Sequence, residues 1–225
     1  MATDVKARLA TGGTATSATA LSDEADPATA LTLKAAKDTF AQADLGSKTV
    51  QKITLTSGSG DDNSGVTYTV VGTDHNGSSI TEDLTGPAGG ATVTSTKFYN
   101  TVTSITGDGS STDISAGVTS SGMHAVLADG RTRVRGMHGV IASADTFLFK
   151  TTSSTGSTIM PLTADAGDLD PYIPDDGVLF TNGCFLPMDQ GDITGLTVYL
   201  DAYEFRWLIL LQEQKRSTKL FLLMK

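Results

Sequence analysis

Acidic side chains cluster at three places in this 225-residue chain: Asp61-Asp62-Asn63, Asp165 with Asp168 and Asp170, and Asp175-Asp176. Hard oxygen donors of this kind suit calcium or magnesium. None of the three has the spacing of a calcium loop, with its Gly at the sharp turn and its distal Glu. They are expected to be solvated turn carboxylates, and no metal is assigned to them. His75, His124 and His138 stand in unlike contexts, and a single cysteine, Cys184, can supply neither a zinc site of the usual spacing nor an intrachain disulfide. Ser and Thr abound, yet no nucleophile motif is followed by a helix. The Gly-rich loops lack the Lys-Ser/Thr ending of a phosphate-binding loop. No catalytic residue, cofactor or enzymatic activity is expected.

The stretch Arg131-Thr132-Arg133-Val134-Arg135 is the strongest basic feature. In a strand, successive side chains alternate, so Arg131, Arg133 and Arg135 would share one face. An anion site is one use of such a face. An edge strand guarded by charge, or a partner-facing stripe, fits better. The formal net charge of −9 speaks against nucleic acid as a partner, because phosphate neutralisation needs clustered Lys and Arg. The longest apolar run, Trp207 to Leu211, is far short of the roughly 18 residues that span a bilayer. Residues 1–19 lack the apolar core of a signal peptide, so synthesis in a cytoplasm and no membrane partner are expected.

The elements that must position these groups are strands. Threonine occurs 35 times, and its β-branched side chain suits a pleated strand better than a helix. Residues 47–120 show period-2 alternation from Val50 to Ser57, then short strands at 66–71, 79–84, 91–95, 97–105 and 112–118, separated by Gly, Asp and Asn turns. Asn76-Gly77 is the clearest turn signal. This spacing predicts an Ig-like β-sandwich. Residues 131–203 repeat the style, with strands near 132–141, 146–151, 157–162, 177–181, 184–188 and 195–203, and a second β domain is expected there. Residues 1–46 read as an N-terminal arm. Asp26 as N-cap and Pro27 at the first helical position predict one short helix ending at Gly46. The fold class is therefore all-β: two antiparallel sandwich or jelly-roll-like domains, a boundary between Thr119 and Gly130, and an arm with a short helix.

Residues 204–225 differ from everything before them. Two apolar runs, from Phe205 to Leu211 and from Leu220 to Met224, flank a polar connection. The segment carries five basic and two acidic residues, whereas residues 151–203 hold eight Asp and no Lys, Arg or Glu. Exposed apolar strands are an aggregation hazard, so Trp207, Leu208, Leu210, Phe221 and Leu223 must be covered. Either the segment completes the second β domain in cis, or it anchors the chain to a partner or sister subunit, its basic residues meeting acidic surface such as residues 165–176.

Three stretches carry a resemblance. Ser64 to Asp74 with Ile80 to Pro87, and Val93 to Ile105, resemble Thr-rich β modules of tailed-bacteriophage virion proteins; Asp176 to Asn182 with Gly183 resembles a short β motif of small phage head and tail proteins. The resemblance implies a non-enzymatic structural protein of the virion. A capsid decoration (cement) protein docked on the major capsid protein is the leading expectation, and a neck, adaptor or tail component is the nearest alternative. Little charge, no site chemistry, and segments at 1–20 and 204–225 that look under-packed in a monomer lead to the expectation of a homo-oligomer docked on other virion subunits. A trimer is suggested by phage analogy alone. A receptor- or glycan-binding module is the competing class. Its aromatic candidates within 48–119 are Tyr68, Phe98 and Tyr99.

Overall fold

The structure, a computed structural model, describes residues 5–10, 17–34, 48–153, 155–174, 176–188 and 193–201. Among them the chain is all-β, built from three antiparallel sheets with no helix. A seven-stranded sheet forms the spine. It comprises β2 (Ser17–Ala25), β3 (Lys48–Ser57), β6 (Thr92–Thr94), β8 (Ile114–Ala128), β10 (Asp145–Lys150), β11 (Thr158–Ala164) and β14 (Cys184–Met188). A three-stranded sheet orders β5 (Ser79–Thr85), β4 (Thr67–Thr73) and β7 (Thr101–Gly107). A five-stranded sheet holds β1 (Val5–Ala10), β15 (Ile193–Asp201), β9 (Thr132–Ile141), β12 (Gly167–Leu169) and β13 (Val178–Phe180).

Two apolar cores result. In the first, Ile53 and Leu55 of β3 with Ala116 and Val118 of β8 meet Tyr68, Val70, Leu84, Val102 and Ile105 of the three-stranded sheet. In the second, Ala125 and Leu127 of β8 with Phe147, Phe149 and Leu186 meet Val134, Met137, Ile141, Leu196 and Val198 of the five-stranded sheet. Alternation along each strand explains which residues turn inward. β8 serves both cores. β3 pairs along one of its edges, while β2 and then β14 pair along the other. Residues 119–128, expected as a boundary region, are the second half of this single strand. The register moves from Ile53↔Val118 to Gln51↔Met123, so four residues of β8 oppose Lys52 alone. Such an excursion bends a strand without ending its pairing.

The N-terminal residues depart from the expected arm. β1 pairs with β15, and β2 lies against β8, where Leu21 enters the first core. Gly117 makes that approach feasible, since a Cβ there would fall 1.8 Å from the Ser17 carbonyl oxygen. The helix expected from Asp26 does not begin there. Asp26 Oδ1 accepts the Asp113 N–H, the Pro27 carbonyl accepts the Ser111 N–H, and the Leu31 N–H donates to Ile105. Long-range pairing with β7 and the loop after it overrides the local cap signal. Residues 35–45 of that expected helix lie outside the described residues.

Pro161 sits within β11 rather than beside it, and β11 is an edge strand, where a missing N–H is tolerated. In the turn after β10, Thr152 has φ 75° although it is β-branched. That backbone region disfavours any Cβ and a branched one most. Thr152→Gly keeps the Thr152 N–H bond to the Asn182 carbonyl (2.8 Å) and relieves the strain. It should stabilise the protein by about 1 kcal/mol, net of glycine's extra unfolded-state entropy. Thermal unfolding checks this, and a lowered midpoint would show the turn is not strained.

Candidate functional site

The arginine stripe is where the sequence pointed most directly. Arg131 precedes β9 and is exposed. Arg133 and Arg135 lie within β9, on the side away from the Val134 and Met137 core positions. β9 is not an edge strand: β15 flanks it on one side and β12 and β13 on the other. The idea of charge guarding an edge is therefore corrected. A bulge where Tyr199↔Gly136 gives way to Leu200↔Val134 leaves Arg135 without an opposite residue and re-aims its side chain.

Both arginines reach the same turn. Arg133 Nη1 donates to the Gly177 carbonyl at 3.3 Å, and Arg135 Nη1 donates to the Asp176 carbonyl at 2.6 Å. Arg135 Nη1 also stands 3.6 Å from Asp176 Oδ1, and its Nε stands 3.5 Å from Oδ1 of the buried Asp201. The turn lies close on β9 because Gly177 takes φ 75°, with its Cβ position only 2.3 Å from the Val134 carbonyl oxygen. The structure thus brings Arg133 and Arg135 together as clamps on residues 176–177. The other five residues expected at a partner surface, Trp207, Leu208, Leu210, Phe221 and Leu223, lie outside the described residues.

The acidic motifs separate into different roles. Asp62 accepts the Ser64 N–H in a local turn, and hydrogen bonds from Ser64 hold its carboxyl below the usual range. Asn63 is buried. Its Nδ2 donates to Ser57 Oγ (2.7 Å) and the Thr112 carbonyl (2.8 Å), and its Oδ1 accepts the Thr112 N–H (3.0 Å). Asp168 lies in β12 opposite Val140. Asp175 lies outside the described residues. No group of three or more His, Cys, Asp or Glu that could hold a metal occurs among the described residues. Cys184 is buried in the second core, and burial pushes its thiol upward, which keeps it protonated and unreactive.

A third cluster joins the two halves of the molecule. Val50, Val126 and Phe185 form a small buried group capped by Phe98. The Phe98 ring meets His124 edge-on at 4.5 Å, and Lys52 Nζ lies 5.2 Å from the Phe98 centroid. His75, in the turn between β4 and β5, meets Phe185 of β14 edge-on at 4.8 Å. That turn is set by Asp74, whose Oδ1 accepts the N–H groups of Asn76 and Ser78, and by Gly77 at φ 82°. Asn76 keeps a negative φ, so the turn is longer than the two-residue type its Asn-Gly pair suggested.

Of the aromatic candidates for a sugar platform, Tyr68 and Tyr99 are fully buried in the first core, and Phe98 packs over the junction. Burial raises both tyrosine phenols, and the nearby Glu82 and Asp83 charges raise Tyr99 further. Among the described residues the exposed aromatics are Tyr172, 87% exposed between Pro171 and Ile173, and Tyr199 on β15. Alternation along β15 could have flagged Tyr199. Tyr172 carried only its Pro-flanked position as a signal. No helix among the described residues is long and apolar enough to cross a membrane.

Comparison with known protein families gives no match, and comparison with curated proteins gives none either. Among solved structures, wild-type discoidin II from Dictyostelium discoideum is similar at 11% identity and a TM-score of 0.27, over 88% of this chain and 93% of that one. At that level nothing of its chemistry carries over to this chain.

Proposed function

We propose that the chain is a non-catalytic structural subunit of a tailed-bacteriophage virion. Capsid decoration is its leading place in the particle, and a neck, adaptor or tail position is the alternative. The observation that carries this reading is what the polar side chains do. Asn63, Asp74, Glu82, Arg133 and Arg135 each hold backbone groups of a loop or turn. They stiffen each half from within, while β8 running through both cores and the Val50, Val126 and Phe185 cluster tie the halves into one body, which is what a shell-bracing subunit needs. The Thr-rich stretches quoted above support the same reading. Quantitative mass spectrometry of purified particles tests it. Hundreds of copies per particle mean decoration, and about a dozen or fewer mean neck or tail, because copy number follows the symmetry of the site. Absence from washed particles would overturn the proposal.

A receptor- or glycan-binding module is the second reading, favoured by one observation, the exposed ring of Tyr172. A Tyr172→Ala chain that still enters particles at full copy number but no longer supports attachment to cells would favour it over a bracing role.

A further inference from the structure

β12 and β13 are two pieces of one edge. Gly167 to Leu169 pair with Ile141 to Gly139 of β9, and Val178 to Phe180 pair with Val134 to Thr132. Four residues of β9, 135–138, lie between these pairings, whereas eight residues, 170–177, connect them. The surplus chain must leave the sheet, as it does at a bulge. It leaves as Pro171-Tyr172-Ile173-Pro174. Ile173 turns back onto the second core, and Tyr172 stands 87% exposed.

The projection is held from both ends. β12 fixes its start, where Leu169 is buried. At its end the Gly177 N–H donates to the Pro174 carbonyl at 3.1 Å, and Arg133 and Arg135 hold the Gly177 and Asp176 carbonyls. Pro171 and Pro174 each fix φ. A ring on so constrained a loop loses little freedom on binding, and tyrosine is among the residues that dominate interface energies. Beside it Asp165, Asp168 and Asp170 are exposed. Asp176 is already paired with Arg135, so the free acidic rim is these three. Asp168 stands opposite Val140, five residues along β9 from Arg135, which is ~17 Å at the rise of a strand. That exceeds the ~8 Å screening length at physiological salt, so the arginines leave Asp165 and Asp168 charged toward solvent.

We infer that Tyr172 is the anchor of a docking surface, and that its partner is a protein with a basic-rimmed cleft wide enough for a phenol ring. The cleft takes the ring, and its rim meets Asp165, Asp168 and Asp170. The formal net charge of −9 favours the same basic partner through its long-range field. The inference rests on the virion reading, in which the cleft belongs to a neighbouring virion subunit.

Competition for places in the particle tests this. Cells supply parent and variant chains together, and quantitative mass spectrometry counts both in washed particles and in the soluble pool. The ratio in particles, divided by the ratio in the soluble pool, removes any difference in folding or expression. Tyr172→Ala should be depleted about tenfold or more, the loss expected for one interface anchor. Tyr172→Phe keeps the ring and should be depleted less than about threefold. Asp168→Asn with Asp170→Asn should be depleted about tenfold, whereas Asp23→Asn with Glu24→Gln, an equal loss of charge on β2, should not be depleted. Tyr172→Ala at an undiminished ratio overturns the inference and leaves the virion reading standing. Equal depletion of the two charge pairs means that net charge decides, and overturns the basic cleft. Absence of the parent from washed particles overturns the reading and the inference together. Sedimentation velocity of the purified chains supplies the last outcome: self-association of the parent that Tyr172→Ala abolishes would make the occupant a second copy, and would overturn the inference as well.

Discussion

Asn63→Asp should lower folding stability by about 3 kcal/mol at neutral pH, from two lost side-chain donor bonds and a buried charge without a partner. The amide nitrogen of Asn63 donates to Ser57 Oγ and to the Thr112 carbonyl, and a carboxylate can donate to neither. Ser57 Oγ already donates to the Asp61 carbonyl, so it cannot turn toward the new charge without leaving Asp61 unmatched. The new oxygen therefore faces a carbonyl oxygen at hydrogen-bond distance. Burial and this repulsion both raise the folded-state pKa of the new carboxyl above its unfolded value near 4. The folded variant holds its proton to higher pH than the unfolded chain does. Its deficit should accordingly be smallest below about pH 4 and grow as the pH rises through the folded pKa. Asn63→Ala removes the same bonds without adding a charge, so its deficit relative to the parent should not vary over that range. Urea unfolding of the three proteins at pH 4 and pH 7 checks this. Equal stability of Asn63→Asp and the parent at pH 7 would mean that the loop is not held by this side chain.

Arg135→Ala should cost about 2–3 kcal/mol, because it strands a buried carboxylate, with some discount for the partly exposed guanidinium. Asp201 is only 6% exposed, and Arg135 Nε supplies its nearby positive charge. The same guanidinium holds the Asp176 carbonyl, so the turn at residues 176–177 loosens as well. Arg135→Lys should recover little, since one ammonium cannot serve two directions as a planar fork does. Combining Arg135→Ala with Asp201→Asn should be less destabilising than Arg135→Ala alone, because the second change removes the stranded charge. A double-mutant cycle by chemical denaturation should give a coupling of at least ~1 kcal/mol. Strict additivity would mean that the two groups do not interact.

Strands with strong alternation were legible from residues alone. β9 and β14 were placed to the residue, and β3, β4, β5, β10 and β11 to within two at each end. β1, β2 and β12 were missed for different reasons: β1 alternates but is short and abuts a Gly- and Thr-rich stretch, Ser17–Ala25 has no sustained apolar alternation, and β12 is only three residues long; each finds its partner in a distant strand. The helix at Asp26 failed because a local cap competes with partners far along the chain, here Ser111 and Asp113. The arginine stripe was visible as a pattern, but its use was not. A bulge opposite Tyr199 and a turn more than forty residues away decide where Arg135 points. Asn63 looked like a turn residue among carboxylates. Nothing nearby announces that Thr112 closes over it.

The pairing of β1 with β15 bears on how the protein is born. Val5 leaves the ribosome about 10–40 s before its partner Asp201 at ordinary rates of translation. Throughout that wait the first strand has no mate, whereas residues 17–118 already contain what the first core requires. Neighbouring nascent chains on the same message present identical orphan strands, and pairing between them would be a dead end. Lys6 and Arg8 place two like charges on that short strand, which makes two copies of it repel one another until the last strand arrives.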